Sequence, residues 1–307
     1  HVDQAGNLRL IEINTNASLS LIVSQLYSLH DLDNGYSKDF EKEILESFKN
    51  EFALHSLSKT KPLTWIAIVD ENPEAQKLFV EFKFFEELFT KAGLRVSIAD
   101  PNDLSCKEAL EHGGHPIDLV YNRHTDFYLE TPQSGALRKA FIEKRACLSP
   151  NPHEYRQLAD KSRLLELTDP EQGDLKNLSV EHQAVIRRAL IPTFEISSFG
   201  DPSELWKQKK RFFFKPKRMF GGKAVYKGES ISRKTFDTIL SENYLAQEIV
   251  PAPLVKFGNE TPDETYKYDL RFFVYRDKVQ LACARIYRGQ TTNSSTLGGG
   301  AAVIEWI

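Results

Sequence analysis

The stretch Phe212-Phe-Phe-Lys-Pro-Lys-Arg-Met-Phe-Gly-Gly-Lys-Ala-Val-Tyr-Lys-Gly228 reads as an apolar strand that runs into a basic, glycine-containing turn and out into a second strand. Gly221 and Gly222 let the backbone turn tightly and bring its N–H groups close to an anion. Lys215 before the turn and lysines after it supply point charges on long stems. By itself the stretch fits a phosphate-holding loop and a β-hairpin with a solvated basic tip equally well, and the rest of the chain tilts the balance.

The chain has 307 residues, 41% hydrophobic and 27% charged, which is room for about two domains with a sizeable core. A formal charge of −3 gives no global attraction to nucleic acid or to an anionic membrane. Any anion site must therefore be a local concentration of Lys and Arg, as in 207–234. Three cysteines, Cys106, Cys147 and Cys283, are an odd number without metal-ligand spacing, and they point to a reduced, cytoplasmic setting. No apolar run reaches the length of a membrane span, and no signal-peptide pattern opens the chain. It begins at His1 rather than Met, which suggests a piece of a longer protein.

Working outward, residues 7–14 read as a strand, with Asn14-Thr-Asn-Ala-Ser18 capping an apolar helix from Leu19 to Leu29. A second helix, Lys38 to Leu54, carries Phe40, Ile44, Phe48 and Phe52 on one side. Buried strands at 63–69, 94–98 and 117–121, with Phe82, Phe85 and Phe89 at helical spacing between the first two, give residues 62–150 the look of a small open α/β sheet. A helix is predicted from Glu154 to Leu167, containing Lys161. Beyond Pro192 the pattern turns to strands at 193–199, 211–216, 223–227, 244–250, 268–276 and 278–287, with a helix near 233–240 and a linker at 256–266. The class is α/β plus α+β.

Neither GxxxxGK[ST] nor GxGxxG occurs, which argues against a P-loop or a dinucleotide fingerprint. The chemistry-bearing residues are distributed. Glu12 and Asn14 would share one face of a strand, two oxygen ligands at a spacing that can share Mg²⁺. Tyr244-Leu-Ala-Gln-Glu-Ile-Val-Pro251 could offer backbone groups and one carboxylate to a flat base. Asp269 and Arg271 alternate onto one face, Arg285 lies in the same lobe, and Asn293 with Gly298-Gly-Gly300 makes a polar loop. Each has an ordinary alternative: cross-strand pairing of Arg271 and Arg285 with Asp269 and Glu305, a solvated helix lysine at Lys161, an edge acid and a helix cap at Glu12 and Asn14.

In this order the elements resemble the ATP-grasp superfamily, and within it the circularly permuted branch that includes glutathionylspermidine-synthetase-like proteins. Leu10-Ile-Glu-Ile-Asn-Thr-Asn-Ala17 resembles a metal strand that conventional members carry last and permuted members carry first. Asp118-Leu-Val-Tyr-Asn-Arg-His-Thr-Asp126 resembles the element that closes the pre-ATP-grasp domain, and Ser149-Pro-Asn-Pro with Leu158-Ala-Asp-Lys161 the element after it. Lys215-Pro216 with Gly221-Gly222, Ala246-Gln-Glu-Ile-Val250, and Asp269-Leu-Arg271 through Arg285 to Gly300 complete the likeness, which covers nearly the whole chain.

The resemblance implies a circularly permuted ATP-grasp fold with a pre-ATP-grasp open α/β domain. Its divisions are 1–60 (displaced part of the catalytic lobe), 61–150 (pre-ATP-grasp), 151–190 (helical connection), 191–250 (lid lobe) and 251–307 (catalytic lobe). It implies an ATP- and Mg²⁺-dependent ligase that joins a small, peptide-like carboxylate to an amine through an acyl-phosphate, with neither nucleic acid nor membrane as partner. Lys161, Lys215, Gly221, Gly222, Glu248 and Val250 would hold ATP, and Glu12 and Asn14 would hold Mg²⁺. Arg271 and Arg285 would stabilise the transferring phosphoryl group, and Arg123, Asn293 and Gly299 would meet substrate.

Two departures stand beside the likeness. A further acidic metal ligand is expected about a dozen residues before Glu12, ahead of His1, and the ribose-binding acid expected after the hinge is missing from 251–258. A degenerate member that binds nucleotide without turning it over is the alternative. A basic-tipped protein that binds nucleic acid, resting only on the 207–234 lysines, is a third reading.

Overall fold

A computed structural model describes residues 1–168, 173–218, 224–256, 265–290 and 298–305. Gly221, Gly222, Asn293 and most of the 256–266 linker lie outside the described residues. The chain divides into two compact units. The first gathers His1–Ile13, Arg156–Arg271 and Ala284–Ala302, and the second gathers Asn14–Tyr155, Phe272–Cys283 and Val303–Ile307.

The second unit is built on four parallel strands, β1 (Trp65–Val69), β2 (Arg95–Ala99), β3 (Leu119–Asn122) and β4 (Cys147–Ser149), in the order β2-β1-β3-β4. Alternation gives the sheet two buried faces. Ala67, Val69, Val120 and Leu148 pack in one core with Leu137 and Ala140 of helix α4 (Gly135–Ile142). On the other face Tyr121 meets Phe48 of α2 (Phe40–Leu54) and Phe85 of α3 (Phe79–Lys91), each with ring centroids 4.8 Å apart. The predicted phenylalanine rows are therefore core, with Phe40, Phe48, Phe52, Phe82, Phe85 and Phe89 all buried. The later segment of this unit is tied in by side chains. Tyr27 donates to the Ala282 carbonyl at 3.1 Å and accepts from Ile304 N–H at 2.9 Å, and Gln280 donates to Ser47 Oγ at 3.1 Å.

Helix α1 (Ser20–Leu29) starts where the sequence placed it, but its cap comes from elsewhere. The buried Glu81 carboxylate of α3 accepts from the Leu19 N–H at 2.9 Å and the Leu21 N–H at 3.3 Å. A carboxylate is well placed there, because the first N–H groups of a helix lack intrahelical partners and carry partial positive charge.

The first unit contains an antiparallel sheet of β5 (Thr193–Glu195), β6 (Phe212–Pro216), β7 (Tyr226–Lys227) and β8 (Tyr244–Glu248), in the order β7-β6-β8-β5. Phe212, Phe214, Tyr244 and Ala246 point to one side and form a core with Leu205 of α7 (Pro202–Gln208) and Phe236 and Ile239 of α8 (Arg233–Ser241). Helices α5 (Ser162–Thr168) and α6 (Val180–Ala189) precede this sheet. Strands β9 (Leu254–Lys256), β10 (Thr265–Tyr275), β11 (Lys278–Tyr287) and β12 (Gly300–Ala302) form another sheet in chain order.

Two expectations are corrected. Residues 7–14 form no strand. They make single bridges, Leu8 with Val2 and Leu10 with Leu190, and the Leu10 N–H is taken by the Ala189 carbonyl at 2.7 Å, so no ladder runs alongside. Glu12 and Asn14 consequently do not share a strand face. The helix expected over 154–167 is also broken. A capped turn at Pro152–Glu154 and a π-turn at Tyr155–Ala159 come first, and Asp160 then accepts from Ser162 N–H at 3.0 Å to open α5. Lys161 sits at that break rather than within a helix.

Between β7 and α8 the chain passes close to the end of α7. A Cβ at Gly228 would stand 1.9 Å from the Lys209 carbonyl oxygen, and Lys209 Nζ donates to the Gly228 carbonyl at 2.7 Å. Gly228→Ala must push backbone apart, and a loss of about 2 kcal/mol is expected, a fall of several degrees in Tm by thermal unfolding. An unchanged Tm would show that the two segments are not held together in this way.

Candidate functional site

Pairing in the antiparallel sheet of the first unit sets Leu245 opposite Lys215 and Gln247 opposite Phe213 and Thr193. Since side chains alternate, Lys215, Gln247 and Thr193 share the face away from the phenylalanine core. That face also carries Leu245 and Phe213, and its polar groups are closed off: Lys215 is 7% exposed, Gln247 2% and Thr193 3%.

Its hydrogen bonds form a chain. Lys215 Nζ donates to Gln247 Oε1 at 2.6 Å, and Gln247 Nε2 donates to Thr193 Oγ1 and to the Ile11 carbonyl, both at 3.2 Å. One residue on, Glu12 pairs with Lys161 at 3.6 Å, and both Glu12 and Lys161 act electrostatically on Lys215. The sequence-predicted Glu12, Lys161 and Lys215 are thus brought together, although by a bridged segment and a helix break rather than by a strand and a helix. Burial pushes the Lys215 ammonium down to about 8, the Glu12 carboxylate opposing the drop and Lys161 adding to it.

Gln247 and Thr193 were missed by sequence reasoning, which took Glu248 from the Gln-Glu pair. The signal was present in the period-2 alternation of 244–248 set against 212–216. Glu248 lies at the end of β8 with the opposite parity to Gln247, and its carboxylate pairs with Arg211 at 2.8 Å. The Val250 carbonyl meets His1 Nδ1 at 3.1 Å.

Farther along the unit, Asp269 is buried and accepts from Arg285 Nε at 2.6 Å, the cross-strand pairing weighed for that arginine. Arg271, two residues after Asp269 on β10, is partly buried. Gly299 lies just before β12. Asn14 and Arg123 belong to the second unit. Asn14 is exposed, whereas Arg123 is 8% exposed and donates through Nη1 to the Asn16 carbonyl at 2.8 Å and to Tyr121 Oη at 3.2 Å. No group of three His, Cys, Asp or Glu side chains that could hold a metal occurs among the described residues. No helix there is long and apolar enough to cross a membrane.

No family model matches the chain, and no curated protein matches it. Solved structures do. A glutathione synthetase-like effector from Globodera pallida in its apo form superposes with a TM-score of 0.54 at 15% identity, over 93% of this chain and 66% of that one. A protein from Methylobacillus flagellatus KT assigned as a gamma-glutamylcysteine synthetase superposes with a TM-score of 0.52 at 12% identity, over 89% and 74%. The chain thus spans just under two thirds of the length of the first. The chain shares the mixed α/β fold of these two structures, with its parallel and antiparallel sheets.

The buried lysine has a measurable consequence. Its pKa is lowered from 10.5 to about 8, so the unfolded chain binds the proton more tightly than the folded one. The resulting cost is fully present below about pH 8 and is relieved as pH rises towards 10.5. Lys215→Met should be the more stable protein at pH 7 by up to about 3 kcal/mol. The gap should close between pH 8 and 10.5 in denaturant unfolding, and a gap independent of pH would refute the assignment.

Proposed function

We propose that the chain is the nucleotide-binding part of an ATP- and Mg²⁺-dependent ligase that joins a carboxylate to an amine. The observation that carries this reading is the closed polar cluster on one face of the antiparallel sheet, where Lys215 is buried beside Lys161 with Glu12 as the nearby carboxylate. A buried lysine whose charge is disfavoured is an anion site waiting for its anion, because a phosphate would restore the ammonium that burial penalises.

Lys215 and Lys161 would hold phosphate oxygens, and Gly221 and Gly222 would close over them. Bound Mg²⁺ would neutralise charge on the β- and γ-phosphates, and Glu12, partly exposed, is the carboxylate suited to hold it together with those phosphates. Asn14 as second ligand remains part of this proposal, as do the adenine contacts at Glu248 and Val250 and the substrate contacts at Arg123, Asn293 and Gly299. The same holds for the circular permutation and the five-part organisation.

In the reaction proposed, a substrate carboxylate oxygen attacks the γ-phosphorus and ADP leaves. The amine then attacks the acyl carbon, phosphate leaves, and the amine gives up a proton. Arg271 and Arg285 would meet the charge that develops on the transferring group. Asp269, bonded to Arg285 Nε, fixes the plane of that guanidinium.

The same 2.6 Å pair favours the second reading, a nucleotide binder without turnover, since it already neutralises the arginine. Amine-dependent release of ADP and phosphate by the full-length protein decides for the ligase, and stoichiometric binding without release decides for the binder.

Calorimetry with ATP and Mg²⁺ tests the site itself. Lys215→Ala and Lys161→Ala should each weaken binding by tenfold or more. Wild-type affinity should fall as pH rises above about 8, because the lysine must take up a proton to meet the phosphate. Binding that is indifferent to both substitutions would sink the proposal.

A further inference from the structure

Two lysines stand two residues apart at the end of β6, and the neighbouring strands hold them differently. Lys217 Nζ meets the Glu195 carboxylate of β5 at 2.6 Å, in a pair that solvent reaches, with side chains 24% and 40% exposed. Lys215 Nζ, buried, donates instead to the amide oxygen of Gln247 at 2.6 Å. A carboxylate cancels the charge of the lysine it holds, whereas an amide oxygen holds the lysine and cancels nothing.

An amide can be turned end for end, so its direction needs a cause. Beyond Gln247 Nε2 lie two oxygens, Thr193 Oγ1 and the Ile11 carbonyl, each at 3.2 Å. The carbonyl can only accept. The threonine hydroxyl has a single proton, which it gives to the Ile191 carbonyl at 3.0 Å, so towards Gln247 it too can only accept. Turned the other way, the amide would set its oxygen against two acceptors and its NH2 group against an ammonium. Gln247 and Thr193 are both buried, and each mismatch would be costly there.

Of the two oxygens, the one on Ile11 is backbone and any residue supplies it. Thr193 is therefore the side chain that sets the amide. A strand at this position asks for a β-branched residue, which valine or isoleucine would satisfy, and the hydroxyl is what packing leaves unexplained. The bonds run across three adjacent strands, from Thr193 on β5 through Gln247 on β8 to Lys215 on β6.

We propose that Thr193 is a positioning residue of the nucleotide site: by accepting from Gln247 Nε2 it keeps the amide oxygen on Lys215, which fixes the direction of the lysine and leaves its charge for a phosphate. This rests on the reading of Lys215 as a phosphate ligand and adds to it a residue two strands away.

A double-mutant cycle on the full chain, read by calorimetry with ATP and Mg²⁺, tests it. Thr193→Val, which keeps the branched shape and removes the hydroxyl, should weaken binding about tenfold. Thr193→Ser should stay within about twofold of wild type, and so should the further step to Thr193→Val in a Gln247→Met background, because the effect passes through the amide. A second arm needs no nucleotide. The Nε2 protons of ¹⁵N-labelled Gln247 should exchange slowly in wild type and Thr193→Ser and rapidly in Thr193→Val, and the wild-type rate alone is decisive if Thr193→Val fails to fold. Wild-type protein that binds no ATP removes the nucleotide reading, and the proposed role falls with it. If ATP binds but Thr193→Val binds it as well as wild type, or loses the same affinity in the Gln247→Met background, the inference is overturned with the nucleotide reading intact. The same holds if the wild-type amide exchanges as fast as that of an exposed glutamine.

Discussion

Everything proposed for the first unit depends on one charge kept out of water. The ammonium of Lys215 lies on the polar side of a sheet whose other side is a phenylalanine core, and the strand alternation that buries Phe212 and Phe214 forces Lys215 the opposite way. Desolvating it is costly, and a single short bond to Gln247 is a neutral compensation for a full charge. The surroundings are arranged around that deficit. Gln247 spends its amide group on Thr193 and Ile11, which draws the 1–13 segment against the sheet and leaves Glu12 and Lys161 beside the lysine.

The second unit handles its charges differently. Glu81 is as buried as any core residue, yet its carboxylate is met by backbone N–H groups at the start of α1, so nothing is left over. Arg123 Nε and both ring nitrogens of His124 are not settled in this way. The two units, one on a parallel and one on an antiparallel sheet, thus meet their buried polar groups in different ways.

Sequence patterning made the fold largely legible because it reports burial. The apolar runs at 63–69 and 117–121 and the rows of phenylalanine are consequences of two-sided covering of a parallel sheet, and they survive as β1, β3, α2 and α3. Residues 7–14 misled because an apolar-polar alternation is also what a lone extended segment shows when its partners are side chains and single bridges. Lys161, Lys215 and Glu12 were readable as charges in unusual company. Gln247 showed only in the alternation of 244–248 against 212–216, and Thr193 and His124 not at all, because a neutral polar residue is conspicuous only once its burial and its bonds are known. Breaks such as the one at Asp160–Ser162 depend on the bonds of one side chain and leave no periodic trace.

The loop that leads into α1 is fastened at two points, by Asn16 to the Arg123 and His124 carbonyls and by Leu19 to Glu81. A loop pinned so closely has little freedom left to lose. Exchanges of side chains within the loop are then compatible with the fold only where they keep its length, which the two anchors fix.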